Sequence, residues 1–184
     1  MSILSNARNY LTPTEVERLI ECAKQNGTFG HRNATMILLA YRHGLRVSEL
    51  IDLQWSHIDL RTGTIHVQRR KHGVDSTHPL SGSELRALRR LKREVGTSRH
   101  VFISQRNAPM TRQNVNAMLA ALGLEAGIEV PVHPHMIRHA TGYKLANEGR
   151  DTRSLQHYLG HRNIQSTVRY TELNANRFNG WWQD

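Results

Sequence analysis

The chain has 184 residues, 38% of them hydrophobic and 6% aromatic, with 25 Lys+Arg against 15 Asp+Glu and a formal net charge of +10. That length suits one domain with a real core, and its periodic apolar patches exclude a disordered chain. The charge favours a polyanionic partner, nucleic acid ahead of an anionic membrane; no run approaches the ~18 apolar residues of a spanning helix, residues 1–6 hold no signal-peptide core, and the lone Cys22 excludes an internal disulfide and fits a reducing cytoplasm.

Residues 1–11 read as an arm. Thr12-Pro13-Thr14-Glu15 is a capping box with proline at the first helical position, opening a helix that fails near Gly27. A second helix spans about 32–43; Met36 to Ala40 is apolar all round, which predicts burial, and Gly44 suits its cap. A third covers about 47–53. Thr64 to Gln68 then alternates like a strand, residues 71–74 form a hairpin tip, and Ser76 to Leu80 return, with Pro79 confining that strand to an edge or to its own end. Ser81-Gly82-Ser83-Glu84 is a second capping box, for a helix to about 94, and Val101-Phe102-Ile103 is a short strand candidate. Helices follow over about 111–122 and 136–148, then from Asp151 to Gly160, with Tyr170 in or near a last one. The pattern predicts a mainly α-helical α+β fold with one small antiparallel sheet.

Several polar residues invite a chemical reading, each with a plain alternative. Arg46 sits in the first turn of a helix, where the macrodipole disfavours it, and Glu49 one turn on either orients that guanidinium or makes an ordinary surface pair. His135 and Arg138 share a helical face just after Pro134, where a phosphate meets both side chains and unpaired backbone N–H groups; the alternative is a solvated His and Arg. His161, beyond the Leu159-Gly160 stop, either faces a cleft or binds the cap carbonyls. Tyr170, nine residues further on, is either an attacking hydroxyl or a packing ring. Lys71 at the hairpin tip, after Arg69 and Arg70, either donates a proton or guards a sheet edge. Arg86, Arg89, Arg90, Lys92 and Arg93 form a solvated or phosphate-contacting face. His135 and His139 lie four apart, yet the stretch lacks the glutamate of a zinc-protease motif and Arg138 repels a cation, so no metal is expected. No glycine-rich phosphate loop argues for ATP.

Taken in order, Arg46, the hairpin Lys71, His135-x-x-Arg138, Leu159-Gly160-His161 and Tyr170 resemble the tyrosine recombinases of the phage-integrase family over residues 9–182. The stretches 76–80, 133–139, 151–153 and 158–164 are most similar to the short fimbrial phase-variation recombinases. The resemblance implies that Tyr170 is the nucleophile and forms a 3′-phosphotyrosine. It makes Arg46 and Arg138 a clamp on the scissile phosphate, with His135 assisting proton transfer and His161 hydrogen-bonding the phosphate. Lys71 protonates the leaving 5′-oxygen, with Arg70 and His72 as alternatives, and Glu49 supports the site. Arg69, Arg70, His72 and Arg112 are DNA-binding candidates.

The resemblance further implies no cofactor, a duplex DNA partner with inverted-repeat sites, a homotetramer at synapsis, accessory DNA-bending proteins and a place at the bacterial nucleoid. Rival readings are a DNA-binding transcriptional regulator with a vestigial site and a type IB-like topoisomerase. The expected domain plan is an arm (1–11), a catalytic domain (12–173) and a tail (174–184) whose Phe178, Trp181 and Trp182 dock on a neighbour or on their own core. No separate N-terminal core-binding domain is expected, so DNA grip must come from one basic surface or from partners.

Overall fold

The computed structural model describes residues 8–70 and 73–172. Helix α1 (Pro13–Gln25) opens on the expected box: the Thr12 hydroxyl accepts from the Glu15 N–H, and the Glu15 carboxylate returns to the Thr12 N–H at 2.8 Å. Val16 and Leu19, 0% exposed, face α2 (Gly30–His43), each such side chain worth about 2 kcal/mol of burial. Helix α2 begins earlier than the apolar pattern indicates and is the central element, with neighbours α1, α4 (Gly82–Val95) and α6 (Pro134–Asn147). It stops at Gly44 in the left-handed region, φ 56°, where a Cβ would lie 2.5 Å from Leu159. Helix α3 (Val47–Ile51) is shorter than expected; α5 (Arg112–Glu125) runs longer, α6 starts at Pro134, and α7 (Thr152–Leu159) and α8 (Gln165–Thr171) close the described chain. Among the described residues no helix is long and apolar enough to cross a membrane.

The sheet has three antiparallel strands in the order β1 (Ile58–Asp59), β2 (Thr64–Val67), β3 (Ser76–Pro79). Register pairs Ile65 with both Ile58 and His78. Pro79 ends the edge strand, where its missing N–H costs no ladder bond. His78 is buried and ties β3 inward: its Nδ1 lies 3.1 Å from His43 Nδ1, and His43 Nε2 pairs with Glu84 at 2.8 Å.

Two expectations are corrected. Val101 to Ile103 is not a strand. The chain folds over at Ser104 to Ala108, with Asn107 at φ 55°, so only single bridges form, Gln54 with His100 and Ile103 with Pro109. Val101 and Phe102, 0% exposed, plug the core instead. Within the expected arm, residues 8–11 are packed: Leu11 is buried, the Tyr10 ring lies 4.2 Å from that of Tyr143, and Arg8 pairs with Glu15 at 2.5 Å. Residues 1–7 and the tail with Phe178, Trp181 and Trp182 lie outside the described residues.

The main core joins α1, α2, α4, α5 and α6. A second, small cluster of Ala146, Leu155, Leu159 and Tyr170 sits between α6, α7 and α8. The two meet along α6, whose small residues permit close approach. The Thr141 hydroxyl donates to the Tyr41 carbonyl of α2 at 2.6 Å, and Gly142 lies flat against the Tyr170 ring.

Candidate active site

Two left-handed glycine stops bring the polar residues together. The C-terminal carbonyls of α2 and α7, with φ 56° at Gly44 and 63° at Gly160, converge and leave backbone acceptors without helical partners. Arg138 fills that gap from the first turns of α6. Its Nη1 donates to the Gly44 carbonyl and its Nη2 to the Leu159 carbonyl at 2.7 Å. Burial pushes its pKa down to about 9, with the Arg46 and Arg69 charges adding to the shift, so it remains a cation at neutral pH.

Arg46 caps α3. Its backbone N–H and its Nη1 both bind Glu49, at 2.9 and 2.8 Å, and about a quarter of its side chain is exposed (26%). Glu49 is therefore a buried carboxylate and no surface partner. Burial alone would raise its pKa, but Arg69, the Arg46 N–H and the Arg46 guanidinium together hold it below the ordinary value.

Tyr170 lies in α8, 2% exposed, with its hydroxyl 2.8 Å from His139 Nδ1. Its ring meets Tyr143 edge-on at 5.1 Å and lies nearly parallel to His161 at 6.4 Å. Burial raises the phenol pKa, while Arg138 and Arg169 pull the other way. In this packing a bulky reactant reaches the hydroxyl only if α8 shifts or the ring turns out. His161 Nδ1 lies 2.8 Å from the hydroxyl of Thr167, itself 0% exposed, which fixes the ring and turns Nε2 to the other side. His135 is exposed in the first turn of α6, its ring 6.4 Å from that of His139.

The structure thus gathers Arg46, Glu49, Arg138, His161 and Tyr170, with His135 at the edge. Lys71 and His72 lie outside the described residues. Arg70 is exposed and pairs with Asp52. Arg112 is exposed in the first turn of α5 and shares no hydrogen bond with this cluster among the described residues. Arg69 departs from its expected role as a DNA contact: its side chain is 0% exposed and bonded to Glu49, because strand alternation turns it inward. Among the described residues no three His, Cys, Asp or Glu side chains could hold a metal ion. Sequence reasoning missed His139 and Thr167 as partners of the tyrosine and histidine. His139 follows Arg138 directly, but the Tyr170 it binds is 31 residues away, so no local spacing signals the contact.

Two outcomes follow from this packing. A Cβ at Gly142 would meet the Tyr170 ring at 2.6 Å. Gly142→Ala should therefore destabilise the fold by about 1–3 kcal/mol and displace the hydroxyl from His139. Urea unfolding together with the cleavage rate checks this, and unchanged values for both would contradict it. Burial also keeps His78, His139 and His161 neutral, with pKa values lowered to about 3, 4 and 3 from 6.5. The unfolded chain takes up these protons first, so the stabilisation is full above about pH 6.5 and is lost progressively as pH falls to about 4 for His139 and about 3 for His78 and His161. The slope is up to about 1.4 kcal/mol per pH unit for each imidazole. Denaturant unfolding at pH 7 and pH 5 should differ by more than about 2 kcal/mol; a flat profile would contradict the burial of neutral rings.

Comparison with known proteins agrees with this geometry. The model of the phage integrase family matches residues 9–177. The type 1 fimbriae regulatory protein FimE of Escherichia coli (strain K12) is 46% identical over 182 residues, covering 96% of this chain and 91% of that protein. FimB of the same strain is 43% identical over 180 residues, covering 95% and 90%. The crystal structure of XerA recombinase superposes with a TM-score of 0.80 at 29% identity, covering 92% of this chain; the chain spans 62% of that one. With a family match over nearly its whole length and relatives this similar, the chain belongs to the phage integrase family, the tyrosine recombinases.

Proposed function

We propose that the chain is a site-specific DNA recombinase that inverts a segment between short inverted repeats and thereby switches a fimbrial or other surface gene. The observation that carries this reading is the Tyr170 hydroxyl, 2.8 Å from His139, in a pocket charged by Arg46 and Arg138. A phenol oxygen is a nucleophile once its proton has somewhere to go, and two guanidiniums stabilise the charge that builds on a phosphate in the transition state. Tyr170 Oη bonds to phosphorus while the P–O5′ bond breaks. The electron pair of that bond leaves with the 5′-oxygen, which takes a proton from Lys71, while the phenolic proton passes to His139 Nδ1, 2.8 Å from the hydroxyl, with His135 assisting the transfer. The 3′-phosphotyrosine conserves the phosphodiester energy, so the 5′-hydroxyl of another strand reverses the step without ATP. Four protomers assemble at synapsis on bacterial DNA, helped by DNA-bending proteins.

The formal charge of +10 supports a duplex partner gripped largely through phosphates, and the similarity to two type 1 fimbriae regulatory proteins supports the gene class. The test is a plasmid carrying the gene with its flanking DNA, induced in a heterologous host and sequenced across junctions. Inverted junctions bounded by repeats are the expected result. Induced cells without any rearranged junction would overturn the proposal.

A further inference from the structure

Arg69 follows β2 by two residues, and its burial raises the question of what a fully enclosed guanidinium does beside a phosphate site. Nη1 donates to Glu49 Oε2 at 2.8 Å and to the Gly44 carbonyl at 3.2 Å. Nη2 donates to the carbonyls of His43 at 3.1 Å and Tyr158 at 2.6 Å. The backbone N–H of Arg69 binds Asp75 at 2.7 Å across the base of the hairpin. Only Nε has no partner among the described residues. The stem runs through a slot closed by two glycines: a Cβ at Gly160 would meet Arg69 Cγ at 2.5 Å, and one at Gly73 would meet Arg69 Cβ at 2.7 Å.

These partners are the groups that hold the clamp. Glu49 is shared with Arg46, and the Gly44 carbonyl is shared with Arg138. The Tyr158 carbonyl that Arg69 binds is next to the Leu159 carbonyl that Arg138 binds. Arg69 is therefore one hydrogen-bond acceptor away from each clamp arginine, and it joins the C-termini of α2 and α7. Both helix ends carry partial negative charge, which a planar fork satisfies and a point charge does not.

We propose that Arg69 is a positioning residue for the phosphate clamp, holding Glu49 and the Gly44 carbonyl so that Arg46 and Arg138 present their free donors at one phosphate. This rests on the recombinase reading above. A lysine keeps the charge but cannot span Glu49 and three carbonyls on two helix ends, so the clamp arginines lose their register. Misplacement by about 1 Å is enough to cost on the order of 10²-fold in rate.

The experiment compares wild type, Arg69→Lys and Gly73→Ala. The substrate is a nicked suicide duplex carrying either an ordinary phosphodiester or a neutral methylphosphonate at the scissile position. Without a charged non-bridging oxygen, the methylphosphonate needs the paired guanidiniums far less. Arg69→Lys should cleave the phosphodiester on the order of 10²-fold more slowly, with DNA affinity within about threefold of wild type. The methylphosphonate should be cleaved within about threefold of the wild-type rate. Gly73→Ala, which crowds the stem and leaves every charge in place, should likewise slow the phosphodiester and leave the methylphosphonate near its wild-type rate, and it carries the test if Arg69→Lys does not fold. Cleavage of the phosphodiester at the wild-type rate by a folded variant overturns the inference, and so does equal slowing on both substrates, which marks a general structural defect. Absence of adduct with wild-type protein overturns the recombinase reading along with it, whereas normal wild-type adduct with either of those results removes the Arg69 inference alone.

Discussion

Replacing Tyr170 with phenylalanine should leave DNA binding intact and abolish covalent attachment, lowering strand cleavage on the order of 10⁴-fold or more. The substitution deletes one oxygen from a ring that is 2% exposed and packed on Gly142 and Tyr143. The fold loses only the hydrogen bond to His139, worth about 1 kcal/mol. A gel shift, an SDS-resistant adduct assay and a thermal melt on the same preparation separate these effects. An adduct formed by Tyr170→Phe would mean that another residue attacks.

Glu49→Ala should have the largest effect on stability, about 3–5 kcal/mol, a large share of the ~5–15 kcal/mol that holds a domain together. The side chain of Glu49 is 1% exposed and pairs with Arg46 and with the 0% exposed Arg69, while the buried Arg138 lies within range of its charge. Removing the carboxylate strands guanidinium charge that water cannot reach, and an uncompensated buried ion costs far more than a surface pair returns. The sign with pH follows from its depressed pKa. The contribution is full above the ordinary value of 4.5 and is lost as pH falls through the lower folded value. The difference between wild type and Glu49→Ala in urea should therefore narrow in strong acid. A variant within about 1 kcal/mol of wild type at pH 7 would contradict the buried pairing.

Much of this architecture is legible in the sequence because it is locally encoded. The boxes at Thr12–Glu15 and Ser81–Glu84 fix two helix starts, and Gly44 and Gly160 stop two helices in the left-handed region. Those same stops create the carbonyl cluster that Arg138 enters, so the site is partly written in the caps. Strand β1 escapes a local reading because its two residues are strands only through pairing with β2. Arg69 escapes for a different reason. In the run Arg69-Arg70-Lys71 charge suggests solvent, yet the period-two burial of Ile65 and Val67 continues to Arg69, while His66, Gln68 and Arg70 face out. Extending the strand alternation past the last apolar residue is the signal that finds it, and Glu49 is what makes burial of that charge tolerable. The contacts of His139 with Tyr170 and of Glu49 with Arg69 depend on tertiary packing alone.

The central claim is a transesterification in which Tyr170 attacks and arginines supply the charge that metals supply in nucleases. Its most direct measurement is mass spectrometry of the trapped adduct, formed on a nicked duplex built from the repeats, in excess EDTA, and digested with protease. The account predicts a nucleotide joined through its 3′-phosphate to the peptide that contains Tyr170, in a yield that chelator does not change. A modified residue other than Tyr170, a 5′-phosphate linkage, or loss of the adduct in EDTA would contradict it.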